Sequence, residues 1–113
     1  MAKVLVCDPI HQDGLAMLRE AGLEVEENLS LTPEQLEKRI SEFDAVIVRG
    51  RTKITGAILN AGGRLRAVAR SGVGLDNIDI EAARKKSIQV ISTPAAPTTS
   101  VAELAVGLML AVL

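Results

Sequence analysis

Residues 44–55 read DAVIVRGRTKIT, and their pattern decides the fold. Asp44–Val48 reads as a strand, its last four residues a short apolar run rich in β-branched side chains. Arg49, Arg51 and Lys53 follow at once. Thr55 then offers a hydroxyl where a helix would begin. A strand, a basic loop and a helix cap make one βα unit.

The unit recurs in both directions. Upstream, residues 3–7 (KVLVC) predict a buried strand that stops at Asp8-Pro9. Residues 12–21 place Leu15, Met17, Leu18 and Ala21 at helical spacing, with Gly22 as the C-cap. Leu23–Glu27 alternates apolar and acidic side chains, which suits a half-exposed edge strand. Thr32, Pro33 and Gln35 supply an N-cap, a first-turn proline and a capping-box partner. Leu36, Ile40 and Phe43 continue that helix on one face. Downstream, Thr55 caps a short helix through Leu59 that Gly62-Gly63 ends. Leu65–Ala69 predicts a fourth strand. Asp79 caps a helix over Ile80–Lys86, Ile88–Ile91 is a fifth strand, and Ser100 with Glu103 opens a last helix.

Strict alternation of strand and helix predicts an α/β fold, a parallel sheet between two helical layers with right-handed crossovers. The acidic second strand belongs at an edge, which gives the flavodoxin-like order 2-1-3-4-5.

Composition narrows the function. A chain of 113 residues is one domain. One Phe and no Tyr or Trp argue against a binder that stacks nucleic-acid bases. The net charge of −1 gives no global field toward nucleic acid or membrane. The charge is divided, however: residues 1–44 carry −6 and residues 45–113 carry +5. Cys7 has no partner for an internal disulfide, and its apolar run predicts a buried, inert thiol. The apolar run Leu104–Leu113 is too short to span a bilayer. With no signal-peptide layout at the start, a cytoplasmic protein is expected.

Ligands of open α/β sheets bind beyond the carboxyl ends of the strands. Arg49, Arg51, Lys53 and Arg70 all fall there and predict a site for a small anion. Arg offers a bidentate fork to carboxylate or phosphate, and Lys a point charge. The turn Gly72-Val73-Gly74 adds backbone N–H groups suited to an anion-binding nest. The same turn is not a dinucleotide fingerprint. Its third glycine position is Asn77, and it does not follow the first strand. No Cys/His or acidic cluster predicts a metal. The one histidine, His11, sits near the start of the first helix, where a surface or cap-adjacent role is expected rather than that of a general base. A phospho-accepting receiver domain is excluded because Arg49 stands where its aspartate would. The missing aromatics and the Asp8–Gln12 loop exclude a flavodoxin proper.

Three segments together resemble the D-isomer-specific 2-hydroxyacid dehydrogenases. They are Val48–Thr55, Arg70–Asp79, and Thr93-Pro94 with Ser100–Leu104. The Arg-x-x-Thr-Lys element resembles the phosphoglycerate branch of that family. The resemblance implies that residues 1–99 form the flavodoxin-like substrate-binding domain. Residues 100–113 then begin a helix crossing into an NAD-binding domain. It implies substrate-binding roles for Arg49, Thr52, Lys53, Arg70, Gly72, Val73 and Gly74, and places Val73, Pro97 and Thr98 near the nicotinamide of NAD. The sequence departs from the family at Pro97, where Asn is usual, and at Gly50, where Ser or Ala is usual. The family's Gly-rich loop, catalytic Arg and Glu–His pair are not among these residues. No catalytic residue is therefore expected in the chain, and by itself it should be inactive. The expected partner is a small anionic 2-hydroxy acid. Val101–Leu113, apolar apart from Glu103, is expected to drive self-association. Two other readings remain: the same lobe from a dehydrogenase of another 2-hydroxy acid, or a stand-alone anion-binding or regulatory module.

Overall fold

The computed structural model describes residues 3–8, 12–49, 52–71 and 78–93. The elements in chain order are β1 (Lys3–Val6), α1 (Gln12–Glu20), β2 (Glu24–Glu27), α2 (Pro33–Arg39), a 3₁₀ turn (Ile40–Glu42), β3 (Ala45–Val48), α3 (Gly56–Ala61), β4 (Ala67–Ser71), α4 (Ile80–Lys85) and β5 (Gln89–Thr93). All strand pairs are parallel and the order is β2-β1-β3-β4-β5, as the acidic second strand predicts.

The sheet divides the core in two. Leu5, Val46, Val48 and Val68 point to the face covered by Leu36 and Ile40 of the α2 segment, Ile58 and Leu59 of α3, and Ala83 of α4. Val4, Val6, Ala45, Ile47, Ala67 and Ala69 point to the other face, where Leu15 and Leu18 of α1 pack. The period-2 alternation of side chains makes each strand feed both layers. This is why the buried stretches of the central strands, Val4–Val6, Ala45–Val48 and Ala67–Ala69, are apolar at every position.

Helix ends follow the predicted chemistry. The Thr32 side chain accepts from the Gln35 backbone N–H, and the Gln35 side chain accepts from the Thr32 N–H, closing the capping box. Thr55 and Asp79 cap α3 and α4 in the same sense. Helix α2 does not run on to Phe43: it tightens into the 3₁₀ turn after Arg39, and Phe43 is already extended. Leu36, Ile40 and Phe43 nevertheless reach one core.

Two helices end in the same Schellman pattern with different residues at its left-handed position. Gly22, at φ +87°, lets its own N–H reach Arg19 O and the Leu23 N–H reach Leu18 O. After α4 the N–H groups of Ser87 and Ile88 reach Arg84 O and Ala83 O, with Ser87 at φ 59°. Only glycine takes this conformation without a Cβ penalty.

Strand four lies two residues later than the sequence predicts, and strand five begins one residue later and ends two later. Leu65 is buried but belongs to a turn, its N–H on Gly62 O. At the other end Arg70 and Ser71 pair with Ser92 and Thr93. An apolar run marks the buried part of a strand, whereas the ladder extends as far as backbone groups find partners. The helix expected from Ser100 lies outside the described residues.

At the β2 edge, Arg39 makes a bidentate pair with Glu26, meets Glu42, and lies over the Phe43 ring at 5.6 Å. Hydrogen bonding from Arg39 holds the Glu26 carboxyl below its ordinary pKa. A depressed carboxyl stabilises the fold above its unfolded value, and that contribution is lost as pH falls through the folded value. Stability should therefore decline below about pH 4. Glu26→Gln should flatten this acid limb in melting temperatures measured from pH 7 to pH 3. Ser87→Gly should raise stability by about 1 kcal/mol in urea unfolding by removing the left-handed penalty.

Candidate functional site

Strand order reverses between β1 and β3, since β1 leads to β2 on one side and β3 to β4 on the other. Such a reversal opens a crevice at the carboxyl edge, the usual ligand position of this architecture. Asp8 lies at this point. Its relative exposure is 1%, although it is a carboxylate at the end of a strand. A buried carboxylate is costly unless hydrogen-bonded. Here the loop after β3 supplies the donors. The N–H of Arg49 reaches Asp8 Oδ2 at 2.8 Å and the N–H of Thr52 reaches the same oxygen at 3.2 Å. The Thr52 hydroxyl donates to Oδ1 at 2.6 Å. Asp8 thus ties the end of β1 to both ends of residues 49–52.

The next strand adds a second tie. Arg70, in β4, donates from Nε to the carbonyl of Arg49 at 2.7 Å. Arg49 is therefore held through its N–H by β1 and through its carbonyl by β4. Its side chain is exposed at the rim, as is Lys53, while Arg70 and Thr52 are half-buried. Lys53 also borders a half-open cavity of about 430 Å³ between the loops after β2 and β3. Leu29, Leu31, Pro33 and Leu36 form its apolar wall, and Thr52 and Thr55 its polar side.

The structure thus gathers Arg49, Thr52, Lys53 and Arg70 at one edge. Arg51, Gly72, Val73, Gly74, Pro97, Thr98 and His11 lie outside the described residues. Arg64 is at the opposite end of the sheet, 3.3 Å from Asp44. Cys7 is buried at 2% exposure, beneath the edge. Among the described residues no group of acidic, Cys or His side chains is suited to a metal, and no helix is long and apolar enough to cross a membrane.

Sequence reasoning missed Asp8 as the organiser of this edge. The only local signal is an acid at the end of an apolar strand, next to a proline. Its partners are 41 and 44 positions away.

Comparison with known proteins agrees with this architecture. Residues 4–107 match the family model of the D-isomer specific 2-hydroxyacid dehydrogenase catalytic domain. The chain belongs to that family. A D-3-phosphoglycerate dehydrogenase from Methanocaldococcus jannaschii is 47% identical over 111 residues, covering 98% of this chain and 21% of the relative. A hydroxypyruvate reductase from Thermotoga maritima is 45% identical over 114 residues, covering 96% of this chain and 36% of the relative. In solved structures, the NAD⁺-bound 3-phosphoglycerate dehydrogenase of Entamoeba histolytica superposes with a TM-score of 0.74 at 36% identity, over 96% of this chain and 38% of that one. The chain thus spans about a fifth to two-fifths of the length of these relatives.

Proposed function

We propose that this chain is the substrate-binding lobe of an NAD-dependent D-3-phosphoglycerate dehydrogenase acting in serine biosynthesis. The observation that carries the reading is the cationic edge at the β1/β3 reversal, fixed from below by Asp8 and from the side by Arg70. Its chemistry suits a small substrate with two anionic groups. The turn 72–74 supplies backbone N–H groups for the carboxylate, and Arg49, Lys53 and Arg70 face the phosphate. The hydride passes between the substrate's hydroxyl-bearing carbon and NAD, and the groups that move the proton belong to a cofactor domain. In this reading Val73, Pro97 and Thr98 border the nicotinamide, and residues 100–113 lead into that domain. The 47% identity to a phosphoglycerate dehydrogenase supports the phosphorylated substrate.

A second reading is favoured by the 45% identity to a hydroxypyruvate reductase. In it the same lobe serves a 2-hydroxy acid without phosphate, and Lys53 takes no direct part.

The two readings separate in one assay. The full-length protein should form NADH from D-3-phosphoglycerate with a KM well below that for D-glycerate. A preference for the unphosphorylated acid selects the second reading, and no turnover of either overturns both. The 113-residue chain assayed alone should form no NADH above contaminant level. In the full-length enzyme Arg70→Ala should raise KM for the phosphorylated acid roughly 10–100-fold, the worth of one charge-assisted contact, with kcat little changed. Loss of kcat at unchanged KM would assign Arg70 to the transition state instead.

A further inference from the structure

We propose that Asp8 is a positioning residue of the substrate site, and that the Thr52 hydroxyl serves Asp8 rather than the substrate. The inference rests on the reading that the edge binds an anion, and it adds how that edge is shaped.

Three observations carry it. Asp8 is a carboxylate buried to 1% exposure beside an edge rich in cations, and three described donors reach it. They are two backbone N–H groups and one hydroxyl, all from residues 49–52. These bonds fix the main chain at Arg49 and at Thr52, and so where the side chains of Arg49 and Lys53 leave it. A hydroxyl has a single proton to give. At 2.6 Å from Oδ1 that of Thr52 is committed to Asp8. Toward a bound phosphate Thr52 then presents lone pairs, which an anion does not seek. Finally, the carbonyl of Arg49 is engaged by Arg70 at 2.7 Å. The loop is clamped across three adjacent strands, and a shift at Asp8 is passed to both arginines.

The variants discriminate because the two oxygens of Asp8 do different work. In Asp8→Asn the amide oxygen can keep both backbone donors, while the amide NH₂ faces the Thr52 hydroxyl and donates to it. The loop is kept. In Asp8→Ala all three donors lose their acceptor and the loop is released. Asp44 is the control. It too is a buried carboxylate, at 5% exposure, but it sits at the amino end of the sheet, where it accepts from the Lys3 N–H at 2.8 Å.

The test uses the full-length protein with two readouts. Hydrogen exchange of the peptide covering residues 49–53 reads the loop without requiring activity. Steady-state kinetics with D-3-phosphoglycerate and NAD read the site. Asp8→Ala should speed exchange of that peptide at least tenfold and raise KM for the hydroxy acid at least tenfold, with KM for NAD within twofold. Asp8→Asn should restore most of both. Asp44→Asn should lower the melting temperature and leave KM for the hydroxy acid within twofold. Thr52→Val, which keeps the backbone bonds, should raise that KM less than Asp8→Ala does.

Unchanged exchange in Asp8→Ala overturns the proposal, as does faster exchange with unchanged KM. A KM effect of Thr52→Val exceeding that of Asp8→Ala shows that the hydroxyl contacts substrate, and overturns the second half. If Asp8→Ala does not fold, Asp8→Asn decides: retained loop protection and KM support the proposal, and loss of both in a folded protein overturns it. A wild type that turns over no hydroxy acid sinks the dehydrogenase reading separately. Titration with inorganic phosphate then decides this one, with at least tenfold weaker binding by Asp8→Ala supporting it. Equal binding by the two proteins, or none by the wild type, overturns it.

Discussion

The parallel register between β1 and β3 is the constraint on which the rest of the molecule depends. Val4, Leu5 and Val6 lie beside Ala45, Val46 and Ile47 at the centre of the sheet, and nearly all of these side chains have no exposure. Burying each large aliphatic side chain is worth about 1.5–3 kcal/mol. A slip by one residue would turn every one of them to the wrong face. The same register decides function. It brings the end of β1 level with the end of β3, so that Asp8 meets Arg49 and Thr52. Core packing and site geometry are therefore two consequences of one alignment.

The divided charge of the chain gains a structural meaning here. The acidic first part and the basic second part meet at both ends of the sheet. Asp44 reaches Arg64 at the amino end of the sheet, and Asp8 takes the loop after β3 at the carboxyl end. Two buried carboxylates from the acidic part thus each hold a segment of the basic part. Burial makes these contacts geometrically exacting, because a displaced donor leaves an uncompensated charge. Exposed pairs such as Lys3 with Glu24 impose no comparable constraint.

What was legible in the sequence divides along the range of the interactions. Short-range features could be read directly: the Thr32–Gln35 box, the caps at Thr55 and Asp79, and the left-handed Gly22 each need only neighbouring residues. The strand order was legible because Glu24, Glu26 and Glu27 cannot be buried in the middle of a sheet. Strand limits were less so. Leu65 is apolar for a turn contact, and Arg70 is polar within the ladder. Ser87 stands in a left-handed position that its type does not advertise. Asp8 was not legible, since its role exists only after the register between β1 and β3 has formed. Of the candidate site, the sequence showed which cations gather at the edge but not what fixes their loop.

The described edge has cations and a clamped loop, while the one histidine of the chain lies outside the described residues. Binding and proton transfer make different demands on a scaffold. A site that grips a small anion benefits from rigidity, because each group held in place in advance removes an ordering cost from binding. A site that must exclude water around a reacting carbon benefits from closure by a second body. A loop tied at Arg49 and Thr52 to neighbouring strands meets the first demand. The described ties all come from this one sheet and its loops, so the fixed geometry at Arg49 and Thr52 is built from contacts made within one chain.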